Sequence, residues 1–126
     1  MRTPNPTLTP QELAIMKVIW RLDSATVRDV YAALRAERTI AYTTVMTMMR
    51  ILEEKGYLRK TASSDRAFVY EPSKPQQQVL GAMVRDFVDR VFDGASESLL
   101  VHLAKDNKLT PKQRKIVQKL IDEIEE

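Results

Sequence analysis

The chain has 126 residues, of which 44% are hydrophobic and 29% charged, a composition typical of one or two small globular domains rather than of a disordered chain. It contains no cysteine, which excludes disulfides and thiolate metal sites, and its apolar runs fall far short of the roughly 20 residues that span a bilayer. The N-terminus, with one arginine and two prolines before Leu8, does not have the pattern of a secretory signal, so a soluble cytoplasmic protein is expected.

Positive charge is concentrated in the N-terminal part of the chain, although the net charge is only +3. Residues 1–74 contain twelve Lys and Arg against eight Asp and Glu, whereas residues 75–126 contain eight against nine. This distribution is typical of a nucleic-acid-binding domain joined to an association domain, although an ordinary fluctuation in surface charge would give the same counts.

Two capping boxes predict the first two helices. Thr9-Pro10-Gln11-Glu12 provides an N-cap threonine, a proline at N1 and a glutamate at N3, and apolar residues then recur at helical spacing to about Arg21. After a short link at 23–25, Thr26 and Asp29 open a second helix. A third helix follows another link, so three helices arrive within about 45 residues, as in a helix-turn-helix core.

The third predicted helix, at about 42–55, has two chemically different faces. The apolar face is expected to pack on the core and consists of Tyr42, Val45, Met48, Met49 and Leu52. The opposite face carries hydroxyl groups and one guanidinium, from Thr43, Thr47 and Arg50, with Thr44 and Met46 on its flanks. Gly56 is expected at the position after the helix where a left-handed backbone is favoured.

The polar face of this helix has the chemistry that contacts the DNA major groove. Threonine can donate to a phosphate or place its methyl group on that of thymine, and arginine can bind O6 and N7 of guanine. The alternative is an ordinary amphipathic helix with a threonine-rich surface. The candidates for DNA contact on this helix are Tyr42, Thr43, Thr44, Met46, Thr47 and Arg50.

A β-hairpin is predicted after Gly56, over residues 57–70. Residues 57–60 and 67–70 are β-prone and are separated by a polar turn. Three helices followed by a hairpin is the order of a winged helix. The cations of this predicted wing either contact a phosphate backbone or protect the edge of the hairpin, and they are Arg59, Lys60 and Arg66.

A linker at 71–75 is predicted from two prolines, which interrupt both the hairpin and any helix. It divides the chain into a winged-helix domain at 1–74 and a helical domain at 75–126. The overall class is therefore mainly α, with a hairpin wing.

Three helices are predicted in the C-terminal domain. A long helix at 75–92 is followed by a shorter one at 97–105, for which Ser96 is the expected N-cap. Thr110 opens a last capping box with proline at N1, and the final helix continues towards the C-terminus.

The apolar faces of these helices are wider than their short neighbours can cover. A 52-residue unit rarely buries enough surface alone, so we predict a homodimer in which the C-terminal helices interlock across a two-fold axis. Packing onto the N-terminal domain is the alternative. The predicted interface consists of Leu80, Val84, Phe87, Val88, Val91, Leu99, Leu103, Ile116, Leu120 and Ile124.

No arrangement of residues in the sequence is typical of catalysis. His102 is the single histidine and lies among leucines, whereas a metal site normally needs three or four ligands. No nucleophile–base set and no glycine-rich phosphate loop is apparent. We therefore expect no enzyme activity, no metal and no cofactor.

Several segments, in this order and spacing, resemble the penicillinase and methicillin-resistance repressor family of bacteria. The resemblance extends from about Leu8 to Ile124 and is most specific in LAIMKVIW at 13–20, TVRDV at 26–30, AYTTVMT at 41–47, LEEKG at 52–56 and DRAFVYEP at 65–72. It implies a homodimeric winged-helix repressor whose third helix enters the major groove of an inverted-repeat operator and whose wing touches the DNA backbone.

The resemblance also implies roles for individual residues. Thr43, Thr44 and Thr47 match positions that the family uses on its recognition helix. Arg50 lies one position before the arginine of many relatives, where this chain has Ile51.

Two departures from the family concern induction. In antibiotic-responsive members, a membrane-bound sensor metallopeptidase pathway leads to cleavage at an Asn-Phe bond, but the matching pair here is His102-Leu103, so cleavage at that bond is not predicted. The copper-responsive branch carries a C-terminal cysteine motif, which this chain lacks. The alternative to a repressor is a winged-helix adaptor that binds proteins without specific DNA binding.

Overall fold

A computed structural model describes residues 8–62 and 67–125, and these form a mainly helical fold with one antiparallel hairpin. In chain order the elements are α1 Pro10–Leu22, α2 Val27–Arg35, α3 Tyr42–Glu54, β1 Leu58–Ala62, β2 Phe68–Pro72, α4 Gln76–Val91, α5 Ser96–Ala104 and α6 Pro111–Glu125. This order confirms the predicted winged-helix arrangement followed by three helices. Within the described ranges, no helix has both the length and the hydropathy needed to cross a membrane.

The chain separates into two compact units, Met1–Leu80 and Gly81–Glu126. The division lies inside α4, whereas the sequence predicted it in the linker at 71–75. Val79, near the start of α4, is buried and belongs to the first unit.

Three capping boxes form as predicted, because each depends on residues only three positions apart. Thr9 Oγ1 accepts from the backbone N–H of Glu12 at 3.1 Å, and a Glu12 carboxylate oxygen accepts from the N–H of Thr9 at 2.9 Å. Thr26 and Asp29 make the same two bonds at 3.0 Å each. At the start of α6, Thr110 and Gln113 repeat the pattern at 3.1 and 2.9 Å.

The core of the first unit is built by α1, α2, α3 and the hairpin. Its fully enclosed side chains are Ile15, Met16, Ile19, Val30, Val45, Met49 and Leu52. Their spacing on each helix is the three-to-four residue period that the sequence indicated.

A buried ion pair joins the beginning of α1 to the end of α3. The Glu12 side chain is only 5% exposed, and both of its carboxylate oxygens accept from Lys55 Nζ at 3.0 Å. One of these oxygens also caps the N–H of Thr9. The carboxylate therefore has partners for the hydrogen bonds that a buried charge needs.

The end of α3 has the geometry expected at Gly56. Its φ of 90° lies in the left-handed region, its N–H donates to the carbonyl of Glu53 at 3.0 Å, and the N–H of Tyr57 donates to the carbonyl of Leu52 at 2.9 Å. These two bonds form a Schellman motif, which turns the chain directly into β1.

The hairpin is longer and begins later than predicted. Its strands pair from Leu58 opposite Pro72 to Ala62 opposite Phe68, so the first residues of the predicted linker belong to β2. Pro72 is tolerated there because it is the last residue of an edge strand.

Two contacts between distant residues attach the hairpin to the α1–α2 link and the predicted linker to α1. Ala25, in the link between α1 and α2, exchanges backbone hydrogen bonds of 3.0 and 2.8 Å with Tyr70 of β2. Trp20 Nε1 donates to the carbonyl of Lys74 at 3.0 Å. The wing is therefore held at its base by the helical core.

In the second unit, α5 and α6 are joined at the turn between them. The Arg114 guanidinium donates to the carbonyls of Ala104 and Asp106, at the C-terminal end of α5, where a cation is favoured. The prediction that Ser96 is the N-cap of α5 is wrong: Ser96 is the first helical residue, and Ala95 occupies the cap without a side-chain hydrogen bond.

Much of the apolar surface of the second unit remains exposed. On α4, Val84, Phe87 and Val91 form an exposed row, and Val84 retains 55% of its accessible surface. On α6, Ile116 is 53% exposed and Leu120 is also exposed. These residues all belong to the predicted dimer interface.

The remaining residues of the predicted interface are less accessible. Leu80, Leu99 and Leu103 are half-buried, and Val88 is buried within its own chain. The side chain of Ile124 lies outside the described residues.

We expect Glu12→Ala to lower the free energy of unfolding by about 2 kcal/mol, because it leaves Lys55 and the N–H of Thr9 without their acceptor. Asp29→Ala is the matched control: it removes the carboxylate that accepts from the N–H of Thr26 in the exposed box on α2, and it should cost less than about 1 kcal/mol. Urea unfolding of both variants measures the difference. Equal losses would show that the ion pair adds nothing to the cap.

A second prediction concerns alkaline pH. Burial raises the pKa of the Tyr57 hydroxyl above its usual value, and the nearby Glu12 carboxylate raises it further. The folded protein therefore favours the neutral Tyr57 hydroxyl. This stabilisation is fully present below the pKa of tyrosine in the unfolded chain, about 10, and is lost as pH rises through the higher pKa of the folded state. Tyr57→Phe should therefore lose less stability than the parent between about pH 9 and 11 in urea titrations. Parallel stability curves for parent and variant would contradict this.

Candidate nucleic-acid interface

The exposed face of α3 carries the polar residues that the sequence placed there. Val45, Met49 and Leu52 are fully enclosed, so the orientation of the helix on the core is fixed. The solvent-facing residues that follow from this orientation are Thr43, Met46, Thr47, Arg50, Ile51 and Glu54. Thr44 and Met48 are half-buried at the edges of the face.

Tyr42 departs from its predicted place in the buried stripe. It is 38% exposed, because the first residue of α3 lies at the edge of the core. Its ring packs edge-on against Tyr31 of α2, with the centroids 5.5 Å apart. Tyr42 is therefore accessible at the surface, as its assignment to the DNA-contacting set requires.

An aromatic–guanidinium cluster of Arg28, Tyr31, Arg35 and Tyr42 joins α2 to the start of α3. The Arg28 guanidinium carbon lies 6.0 Å from the centre of the Tyr42 ring, and that of Arg35 lies 5.9 Å from the centre of the Tyr31 ring. The three α2 members are spaced at i, i+3 and i+7, which places them on one face of the helix. Helical periodicity alone did not indicate this cluster, because its members lie on two different helices.

The cations of the wing have different surroundings. Arg59 Nε donates to the Glu71 carboxylate at 3.1 Å across the hairpin, so part of its charge is already balanced. Lys60 Nζ lies 4.4 Å from the centre of the Phe68 ring, which is 54% exposed. Arg66, the third predicted wing cation, lies outside the described residues.

Electrostatics also couple α3 to β2. Burial raises the pKa of the Tyr70 hydroxyl, the Glu53 carboxylate raises it further, and the Arg50 guanidinium lowers it. The charges of Glu53 and Arg50 on α3 therefore both act on Tyr70 of β2.

The described residues provide no metal centre. No group of three or more His, Asp or Glu in these ranges is close enough to hold an ion. His102 is exposed on α5 and stacks at an angle on Phe92, with ring centroids 5.4 Å apart.

Comparison with known proteins places the chain in one family. The model of the penicillinase repressor family matches residues 8–123. The transcriptional regulator BlaI of Mycobacterium tuberculosis is 34% identical over 96 residues, which cover 75% of this chain and 69% of the relative. The penicillinase repressor of Bacillus licheniformis is 25% identical over 118 residues, which cover 94% of this chain and 91% of the relative.

The fold of the N-terminal unit has a solved counterpart. The solution structure of monomeric Bacillus licheniformis BlaI in complex with the blaP half-operator matches 57% of this chain and 87% of that chain, with 33% identity and a TM-score of 0.51. Together with the match over residues 8–123, this likeness shows that the chain belongs to the penicillinase repressor family, a family of winged-helix, DNA-binding transcriptional repressors.

Proposed function

We propose that the chain represses transcription as a homodimer bound to an inverted-repeat operator, with α3 in the major groove of each half-site and the β1–β2 hairpin against the neighbouring backbone. The observation that carries this proposal is the exposed face of α3, where Thr43, Thr47 and Arg50 lie on a helix whose other face is enclosed in the core. The complex of a related repressor with its half-operator supports the same use of this unit.

Individual roles follow from the chemistry of these side chains. Arg50 is suited to bind O6 and N7 of guanine, since its guanidinium presents two parallel donors. Thr43 and Thr47, one helical turn apart, are suited to phosphate oxygens or thymine methyl groups. Tyr42, Thr44 and Met46 complete the proposed contact surface from its edges.

The wing is proposed to contact the phosphate backbone without reading sequence. Lys60 is better suited to this role than Arg59, because Arg59 already shares its charge with Glu71. A phosphate would have to compete with that carboxylate for the Arg59 guanidinium.

The proposed dimer uses the exposed apolar row of α4 together with the exposed residues of α6. Val84, Phe87 and Val91 recur at i, i+3 and i+7, the spacing of a helix that packs against a partner. Removing this surface from water is favourable by about 25 cal/mol per Å². A two-fold dimer would present two α3 helices to two half-sites about 34–36 Å apart or a multiple of that distance.

A membrane-bound sensor metallopeptidase pathway is a candidate for release of the repressor, by analogy with the antibiotic-responsive members. The cleavable Asn-Phe pair of those members is replaced by His102-Leu103, which lies within α5. We therefore propose no cleavage at this bond.

Arg50→Ala should weaken binding to the promoter DNA upstream of the chain's own gene by roughly 1–3 kcal/mol and relax the preference at one base pair. Mobility-shift titrations with single-base variants of the site measure both effects. Arg85→Ala, which removes an exposed arginine from α4, is the matched control and should bind as the parent does. Unchanged affinity of Arg50→Ala would remove Arg50 from the interface. Weak, sequence-independent binding by the parent would instead favour the adaptor function.

The dimer is tested by placing a charge in the exposed row. Val84→Asp and Val91→Asp should shift the mass measured by sedimentation velocity at micromolar concentration from dimer towards monomer, because a carboxylate buried in an apolar interface is costly. Ala82 lies on the opposite side of α4, about half a turn away from Val84. The Ala82→Asp variant should therefore remain a dimer. A monomeric parent would refute the dimer.

A further inference from the structure

We propose that Arg28 of α2 binds a DNA phosphate, and that Tyr42 holds its guanidinium in place at the start of the recognition helix. This inference rests on the proposed use of α3 in the major groove. It adds a DNA-binding residue on α2, next to the residues proposed on α3. The group that Arg28 would bind is a phosphodiester of the DNA strand beside the major groove.

The position of Arg28 is defined by its contact across the α2–α3 junction. Its guanidinium carbon lies 6.0 Å from the centre of the Tyr42 ring, and that ring packs edge-on against Tyr31. Tyr31 is half-buried, so the pair of rings anchors the exposed arginine to the body of the unit. Arg28 is thereby placed beside Tyr42, the first residue of α3.

A contact between a guanidinium and an aromatic ring can leave the N–H edge of the guanidinium available for a second partner. A cation over a ring is attracted through the flat face of the guanidinium, whereas its N–H donors point outward in the plane of the group. Those in-plane donors are the ones that make two parallel hydrogen bonds to a phosphate. The contact of Arg28 with the Tyr42 ring and the binding of a phosphate are therefore compatible.

Among the described residues, Arg28 has no carboxylate partner, whereas Arg59 and Arg90 each have one. Between residues 8 and 125, excluding 63–66, the ion pairs are Lys55–Glu12, Arg59–Glu71 and Arg90–Asp86. Asp29, the neighbour of Arg28, directs its carboxylate to the N–H of Thr26. The charge of Arg28 is therefore not balanced by an ion pair within the described part of the chain.

A phosphate is a better match for Arg28 than a base edge. In helix-turn-helix proteins, the helix before the recognition helix crosses the DNA backbone rather than entering the groove. Arg28 lies in the first turn of that preceding helix, at the end nearest Tyr42. Its contribution should therefore be independent of sequence and sensitive to salt.

The test is the salt dependence of DNA binding by the full-length protein, measured by fluorescence anisotropy on the promoter duplex and on an unrelated duplex. In Arg28→Gln, the slope of log K against log salt should become shallower by about 0.9 on both duplexes. Between 50 and 200 mM KCl, the parent should therefore lose about threefold more affinity than the variant. An unchanged slope on both duplexes would overturn the inference.

Two further variants separate charge from structure. Arg28→Lys keeps the charge and should restore a slope close to that of the parent, whereas a merely structural role would leave both variants alike. Arg90→Gln removes one positive charge from the second unit and should leave the slope unchanged. A shallower slope in Arg90→Gln equal to that in Arg28→Gln would mean that net charge alone is responsible, which would also overturn the inference.

The role of Tyr42 is tested by combining substitutions. Arg28→Gln should change the slope less in a Tyr42→Leu background than in the parent, because the leucine no longer holds the guanidinium. Full additivity of the two substitutions would refute the positioning role. A parent that binds both duplexes equally would refute the proposed operator binding, while the slope on the unrelated duplex would still decide the role of Arg28.

Discussion

The buried ion pair between Glu12 and Lys55 is the contact on which the geometry of the DNA-binding unit depends. One carboxylate caps the first turn of α1 and binds the lysine at the end of α3, while it is almost fully excluded from water. A charge in that position is stable only while both partners stay in place. The beginning of α1 and the end of α3 are therefore fixed to each other, and the enclosed Val45, Met49 and Leu52 fix the rotation of α3 on the core.

In the proposed complex, the neighbours of α3 extend its exposed face into a wider binding surface. At its N-terminal end, Tyr42 meets Tyr31 and Arg28 of α2, and towards its C-terminal end, Arg50 and Glu53 act on Tyr70 of the wing. Backbone pairing of Tyr70 with Ala25 attaches the wing to the helical core. α2, α3 and the hairpin thus present their polar groups from one preformed unit. Because these groups are already in place, less conformational entropy is lost on binding.

The second unit is organised differently. Arg114 joins α5 to α6 through the carbonyls at the end of α5, but the apolar row of α4 and the exposed residues of α6 have no cover within the unit. A small unit with so much exposed apolar surface is expected to gain stability from a second copy. In this proposal, association of the C-terminal helices supplies the symmetry that an inverted repeat requires.

The sequence by itself determined the elements whose causes are local. The capping boxes at Thr9, Thr26 and Thr110, the glycine stop at Gly56 and the apolar period of each helix depend on residues a few positions apart, so their patterns are visible in the chain. The polar face of α3, with Thr43, Thr47 and Arg50, was predicted for the same reason. The strand ends and the cap of α5 were misplaced by a few residues, because several neighbouring residues satisfy the same local preference.

Only the tertiary structure decided which distant residues meet. Glu12 and Lys55 are 43 positions apart, Trp20 and the carbonyl of Lys74 are 54 apart, and each residue has many equally suitable partners in the sequence. Tyr42 shows the consequence: its helical position indicated burial, but its place at the edge of the core left it exposed beside Arg28. Periodicity gives the direction of a side chain on its own helix, whereas the packing of several helices determines what that side chain contacts.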